Sequence, residues 1–363
     1  MDSNISILPL GDWGIFSGKQ PCVIAGPCSA ESEEQVMRTA AALKEAGVEL
    51  FRAGIWKPRT HPGCFEGVGE AGLAWLGKVR SGLGMKVCTE VAGAKHVAAA
   101  LEAGVDALWI GARTTPNPFL MEEIGCALEG TDVPVLVKNP VNPDLELWIG
   151  AIERLNRHGV KKLGVVHRGF STSAKISYRN DPDWETAIAM RSRHPELPFF
   201  CDPSHMGGNR EYVPEIAQKA MDLGLDGLMV ESHCDPSCAL SDAGQQLSPE
   251  DLSRMLASLK LRSADSESSG YRESIGALRA RMDVVDDALV ELLSTRMGIS
   301  REIGRIKKEN NIAILQTGRW EEVLRHVRNA AAGKGLDQDF IREIFEGIHN
   351  ESVREQDIII ENK

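Results

Sequence analysis

Along the first 250 residues the apolar positions fall into short runs separated by helix-like stretches. The runs are residues 22–25, 50–53, 86–89, 107–110, 135–138, 163–167, 198–202 and 227–231. Each is flanked by Gly or Pro, and segments such as 32–46 and 214–223 between them carry helical periodicity. Short apolar strands alternating with helices are the signature of βα units on a parallel sheet. Eight evenly spaced units fit a closed (β/α)8 TIM barrel. A doubly wound open sheet is the alternative. Ahead of the first run, residues 5–16 carry Gly11 and Gly14 between apolar patches, a pattern expected to form a small hairpin beneath the barrel.

The pattern changes after residue 260. Residues 263–270 read Ser-Ala-Asp-Ser-Glu-Ser-Ser-Gly, the composition of a flexible linker. Beyond it, Ile275, Leu278, Met282, Val285, Leu289, Leu292 and Leu293 recur at helical spacing, continued by Ile299, Ile303 and Ile306. One helix over 272–308 would be roughly 55 Å long at about 1.5 Å per residue. Two further helices are expected over 319–332 and 338–358. A module of this size cannot cover so long a helix by itself, so an intertwined homodimer is expected. The predicted organisation is a barrel over 1–260, a linker over 261–270 and an all-α three-helix module over 271–363.

Composition supports this division. All 17 prolines lie at or before Pro249 and all 8 cysteines at or before Cys238. A proline-free tail suits uninterrupted helices. Scattered cysteines do not resemble a small disulfide framework, so free thiols or a metal ligand in a reducing cytoplasm are expected. Residues 1–16 lack the plan of a secretory signal, and no run approaches the roughly 18 apolar residues of a membrane helix. The net charge of −11 argues against nonspecific nucleic-acid binding.

In a (β/α)8 barrel, chemistry sits at the C-terminal ends of the strands. Those positions hold two sets of side chains. Cys28, His205, Glu231 and Asp242 combine a thiol, an imidazole and two carboxylates, a donor set for a borderline divalent metal such as Mn, Fe, Co or Zn. Arg52, Lys57, Arg59, Arg113, Lys138 and Arg168 place six cations around the same rim. Like charges repel, so such a gathering in an acidic protein implies bound phosphates or carboxylates.

The motifs that carry these residues are Gly26-Pro27-Cys28-Ser29, Lys57-Pro58-Arg59-Thr60, Gly111-Ala112-Arg113-Thr114, Lys138-Asn139-Pro140, His167-Arg168-Gly169, Asp202-Pro203-Ser204-His205, Glu231-Ser232-His233 and Leu240-Ser241-Asp242-Ala243. In this order they resemble the 3-deoxy-D-arabino-heptulosonate 7-phosphate (DAHP) synthases, of the type related to 3-deoxy-D-manno-octulosonate 8-phosphate synthases. The resemblance covers about residues 5–260. It implies condensation of phosphoenolpyruvate with erythrose 4-phosphate. By it, Cys28, His205, Glu231 and Asp242 are metal ligands. Arg52, Lys57, Arg113, Lys138 and Arg168 hold phosphoenolpyruvate, with Asp202 beside them. Arg59 and Thr60 hold the aldose phosphate, and Lys57 is the candidate proton donor, assisted by His205. The octulosonate synthases carry Lys-Ala-Asn-Arg-Ser where this chain has Lys57-Pro58-Arg59-Thr60, which favours the four-carbon aldose.

On the long helix, Arg296 and Lys307 share a face, whereas Arg279 lies roughly 100° around it. Spacing alone is equally met by a solvated face of a dimerisation helix. Arg279, Arg296, Lys307, Arg319, Ser352 and Gln356 resemble the site of the all-helical chorismate mutases, over about residues 272–358. That resemblance implies a metal-free rearrangement of chorismate to prephenate, with Arg279 supplied by the partner subunit. Arg296, Lys307 and Arg319 then bind the carboxylates and ether oxygen, with Gln356 also on the ether. Two positions depart from it: Gln316 and Trp320 stand where acids are common, and Glu321 is one residue late. The group that holds the substrate hydroxyl is therefore unassigned. The alternatives are an octulosonate 8-phosphate synthase barrel, and a tail that is only a dimerising allosteric sensor. Feedback by prephenate through the tail is expected, since only about 20 residues precede the first strand. A higher oligomer than the dimer stays open.

Overall fold

The computed structural model describes residues 5–57, 63, 65–263 and 268–361. The chain divides into two compact units, Met1–Ala264 and Asp265–Lys363.

In the first unit eight parallel strands close on themselves. They are β1 (Cys22–Gly26), β2 (Leu50–Arg52), β3 (Lys86–Val91), β4 (Ala107–Ile110), β5 (Val135–Lys138), β6 (Leu163–His167), β7 (Phe199–Cys201) and β8 (Gly227–Glu231). The register closes from Cys22↔Gly227 to Gly26↔Glu231. The strands are apolar along nearly their whole length because both faces are covered. Outside them pack α1 (Glu33–Glu45), α2 (Ala71–Lys78), α3 (Ala94–Glu102), α4 (Pro118–Leu128), α5 (Leu145–Arg157), α6 (Trp184–Arg193), α7 (Pro203–Gly207), α8 (Val213–Asp222) and α9 (Pro249–Ser258). Local sequence starts several of them. Ser32 caps α1 through Gln35 N, Asp144 caps α5 through Leu147 N, and Asn117 caps α4 ahead of Pro118.

The barrel interior is filled by Ile24, Leu50, Cys88, Trp109, Leu136, Val166, Phe200 and Met229. One backbone approach is too close for any side chain. A Cβ on Gly26 would lie 1.9 Å from the Arg52 carbonyl oxygen, so the first turn of the rim requires glycine.

Three expectations need correction here. Residues 5–16 form no strand, and Leu10–Trp13 is a 3-10 turn instead. Its apolar side chains do not pair with each other. Trp13 and Ile15 turn into the barrel and join the interior cluster, where burial is greater than a two-stranded ribbon offers. The seventh strand is shorter than residues 198–202, because Asp202 serves as the N-cap of α7. The long C-terminal helix begins inside the expected linker, because the Ser268 side chain accepts from Tyr271 N and caps it.

The second unit is three helices: α10 (Ser269–Glu309), α11 (Thr317–Ala332) and α12 (Gln338–Glu361). α12 packs along the C-terminal half of α10, closely enough that a Cβ on Gly304 would stand 3.1 Å from Gln356 Cγ. Within the helical unit, the described residues leave the N-terminal half of α10 uncovered. Leu278, Met282, Val285, Leu289 and Leu292 are all exposed there. No described helix is long and apolar enough to cross a membrane.

Candidate functional site

The strand ends of the barrel converge on two buried ion pairs. Arg52, at the end of β2, is 1% exposed and reaches Glu231 Oε1 at 3.1 Å from Nη2. Lys138, at the end of β5, places Nζ 2.6 Å from Asp202 Oδ2. Trp109, from β4, lies beneath both cations, 4.8 Å from the Arg52 guanidinium carbon and 6.0 Å from Lys138 Nζ. Arg52 Nε and Nη1 are buried with no hydrogen-bond partner. Leaving two N–H groups of a buried guanidinium unmet is costly, and they suit the oxygens of an anion.

Arg168 follows β6 and is nearly buried. Its Nη1 donates to Gly169 O and Asn180 Oδ1, at 3.1 and 3.0 Å. Burial pushes it down to about 10, against the pull of Asp202. Arg113, on the turn after β4, is exposed. Arg59 and Thr60 lie outside the described residues.

The thiol, imidazole and carboxylates meet as two pairs. Cys28 Sγ is 3.3 Å from Asp242 Oδ2, and His205 Nε2 is 3.7 Å from Glu231 Oε1. His205 Nδ1 lies 2.8 Å from Asp202 Oδ2. Burial pushes the Cys28 thiol up to about 12, with Glu231 adding to the shift. Burial also lowers His205, opposed by Asp202. Burial opposes the charge on Glu231, yet His205 and Arg52 hold it below the usual carboxylate range. An imidazole, two ionised carboxylates and a thiol are the donor set a divalent cation satisfies. Separations of 3.3 and 3.7 Å match those of ligand atoms bound about 2.0–2.3 Å from one ion. The two pairs are not yet one tight cluster. Among the described residues, Cys126, Glu129 and His158 alone bring three such atoms within 4.8 Å of one another. That group sits on the outer wall at the ends of α4 and α5, where His158 is ion-paired with Glu122 and Glu129.

Lys57 spans the two sets. Its Nζ lies 3.1 Å from Cys28 Sγ and 3.0 Å from Cys28 O. Burial disfavours its charge, but Cys28, Glu90 and Glu231 outweigh this and raise it above an ordinary lysine.

Several supporting side chains escaped the sequence reading. Arg179 Nη1 reaches Asp242 Oδ1 at 3.0 Å and Gln245 Oε1 at 2.8 Å. Gln245 Nε2 donates to Glu231 Oε2, and Gln246 Oε1 accepts from Cys28 N. Asn139 Oδ1 accepts from Arg168 N at 2.7 Å. Gln245 and Gln246 follow the Leu240–Ala243 motif after one intervening residue, and Asn139 sits inside another, so proximity to a motif was the available signal. Arg179 had none, since it stands in a polar loop far from any strand end.

The helical unit holds a separate cavity of about 250 Å³ between α10, α11 and α12. Arg296, Lys307, Arg319, Gln316, Trp320, Ser352 and Gln356 all line it, and so does His349. Arg296 Nη1 donates to Ser352 Oγ at 2.5 Å, and Lys307 Nζ to Ile314 O at 2.6 Å. Gln356 Nε2 donates to Ser300 Oγ at 3.1 Å, while its Oε1 is buried without a partner. Among the described residues, no carboxylate lines the cavity. Arg279 is exposed on α10 and does not line it, and Glu321 does not line it either.

Comparison with known proteins accounts for both units. Residues 278–357 match the family model of chorismate mutase type II. Residues 8–265 match that of the DAHP synthetase I family. The phospho-2-dehydro-3-deoxyheptonate aldolase of Thermotoga maritima is 35% identical over 255 residues, covering 70% of this chain and 73% of that protein. A 2-dehydro-3-deoxyphosphooctonate aldolase of Rhodopseudomonas palustris is 29% identical over 282 residues, covering 71% of this chain and 94% of that protein. Among solved structures, the Thermotoga maritima DAHP synthase superposes with a TM-score of 0.63 at 32% identity, covering 71% of this chain and 75% of that one. Its truncated form gives 0.59, covering 70% and 90%. With the barrel closed, the cations and metal-type donors at its strand ends, and the match spanning residues 8–265, the chain belongs to the DAHP synthetase I family.

Proposed function

We propose that this chain is a bifunctional enzyme. The barrel condenses phosphoenolpyruvate with D-erythrose 4-phosphate and water to give DAHP and phosphate, and the helical unit converts chorismate to prephenate. The observation that carries the barrel reading is Arg52. A buried guanidinium with two unmet N–H groups stands against Glu231, beside the thiol, imidazole and carboxylate set.

The reaction needs C3 of phosphoenolpyruvate to attack an aldehyde carbon. Arg52, Lys138 and Arg168 bind the phosphate and carboxylate and hold the enol in reach, which removes much of the entropic barrier. Asp202, ionised between His205 and Lys138, holds the lysine in place. Cys28, His205, Glu231 and Asp242 would hold a divalent ion (Mn, Fe, Co or Zn), which supplies Lewis-acid polarisation of the aldehyde oxygen. Lys57, protonated and facing the same place, gives its proton to that oxygen as the bond forms. Water then adds at C2, and C–O cleavage of the hemiketal releases phosphate. Arg113, with Arg59 and Thr60, completes the grip on the two phosphates.

The helical pocket calls for no nucleophile. Arg296, Lys307 and Arg319 bind the two carboxylates and stabilise charge on the breaking ether, aided by Gln356. Ser352 orients Arg296 through their 2.5 Å hydrogen bond. A second chain, docking on the uncovered half of α10, supplies Arg279. The enzyme is a cytoplasmic homodimer in this reading.

The test is turnover of phosphoenolpyruvate with each aldose phosphate, after metal removal and re-addition, followed by chorismate on the same sample. Erythrose 4-phosphate should be preferred, activity should depend on the added metal, and chorismate should be consumed. A preference for arabinose 5-phosphate would make the barrel an octulosonate 8-phosphate synthase. Chorismate left at its uncatalysed rate would leave the tail as a dimerising sensor.

A further inference from the structure

The helical cavity is unusual in its charge balance. Among the described residues three cations line it, Arg296 and Lys307 from α10 and Arg319 from α11, and no carboxylate does. Cations account for the two carboxylates of a dianionic substrate. They do not account for a ring hydroxyl, which both donates and accepts. The uncharged side chains of the cavity are mostly engaged. Ser352 Oγ donates to Ile348 O and accepts from Arg296, and Ser300 Oγ donates to Ser352 O while accepting from Gln356.

Gln356 Oε1 is buried without a partner, and neither Gln316 nor His349 has a side-chain hydrogen bond among the described residues; of these groups only His349 is held by a ring stack. It lines the cavity from α12 and its ring lies flat on Trp320, centroids 4.1 Å apart at 16°. No side chain or backbone group among the described residues hydrogen-bonds either ring nitrogen. A ring clamped by a stack has lost its rotamer freedom before the ligand arrives. Trp320, at a position where the resemblance to the all-helical mutases implies an acid, is thus not a simple loss, because it fixes a second polar group that also lines the cavity.

We infer that the imidazole of His349 holds the ring hydroxyl of the substrate in the helical pocket, with Trp320 as the residue that positions it. The inference rests on the mutase reading above and deepens it. Partial burial lowers His349, with Arg296 and Lys307 adding to the effect, so the ring is neutral. A neutral imidazole has one donor and one acceptor, the complement of a hydroxyl. An acid at this place would instead neutralise Lys307 or Arg296. Exchanging the acid for a stacked imidazole leaves both cations free for the carboxylates and the ether.

The test uses the full-length chain with chorismate and with its analogue lacking the ring hydroxyl. For His349→Leu, kcat/KM for chorismate should fall about tenfold, the effect of one lost hydrogen bond. Affinity for the hydroxyl-free analogue should not change, and His349→Gln should recover most of the loss. If His349→Leu keeps the ordinary chain's preference for the hydroxylated ligand, the inference is overturned. Should His349→Leu lose both ligands, His349→Phe, which keeps a ring on Trp320, is read by the same ratio. Loss of both ligands there too assigns His349 a packing role and rejects the hydroxyl contact. Failure of the unaltered chain to convert chorismate would reject the mutase reading instead, and the binding ratio would still decide the contact.

Discussion

Lys57 lies 3.1 Å from the Cys28 thiol, with its charge favoured by three neighbours. A lysine held protonated is available as a donor at neutral pH and becomes acidic enough to give its proton only when nearby negative charge is drawn elsewhere. Lys57→Met is therefore expected to lower turnover about a hundredfold or more with metal content intact. Steady-state rates beside metal analysis of the same preparation check this, and near-normal turnover would remove Lys57 from the role. His167 offers a pH test of stability. It is fully buried, donates to the Pro182 carbonyl and is ringed by Trp148, Phe170 and Trp184. Burial pushes it down to about 4. Falling pH therefore charges the unfolded chain first, and the folded state loses stability between about pH 6.5 and pH 4. The full loss from this group is about 3 kcal/mol. Denaturant midpoints at pH 7 and pH 4.5 should show a smaller acid loss in His167→Gln than in the unaltered chain. Residue types at strand ends named Arg52, Lys138, Asp202 and Glu231 as site residues. What they could not reveal was which cations pair internally, because partners 64 and 179 positions apart along the chain meet only once the barrel closes.

At the scale of elements, periodicity located the strands and the three C-terminal helices, since burial on one face or two writes itself into the order of apolar residues. It misplaced the N-terminal segment. Trp13, 3% exposed, seals one end of the barrel, and its indole N–H reaches Leu8 O at 3.2 Å. Trp13→Ala should cost about 3–5 kcal/mol, read as a shift in denaturation midpoint. The same periodicity explains α10. Its N-terminal half keeps Leu278, Met282, Val285 and Leu289 at the alternating spacing of a helix seam, all more than half exposed. Sedimentation of Leu289→Glu should show loss of the dimer, and chorismate turnover should fall with it because Arg279 lies on the same half-helix. Full mutase activity in a monomeric Leu289→Glu would dismiss the shared site.

For the molecule as a whole, the consequence is a chain with two chemistries in two compact units. If the tail's product reports back, prephenate at saturating concentration should inhibit condensation in the barrel; an unchanged rate would end that idea. The shift from proline-rich to proline-free sequence already marked two kinds of architecture, because proline is compatible with strand-end loops and not with a 41-residue helix. Strand number, helix number and the chemical kinds of side chain at the rim follow from sequence alone, since they depend on local periodicity and on where strands end. Tertiary structure decided the rest. It seated Trp13 in the barrel, drew Arg179 onto Asp242 and stacked His349 on Trp320. Each of these joins residues far apart in the chain through closure and packing, and no local pattern in the sequence encodes such a contact.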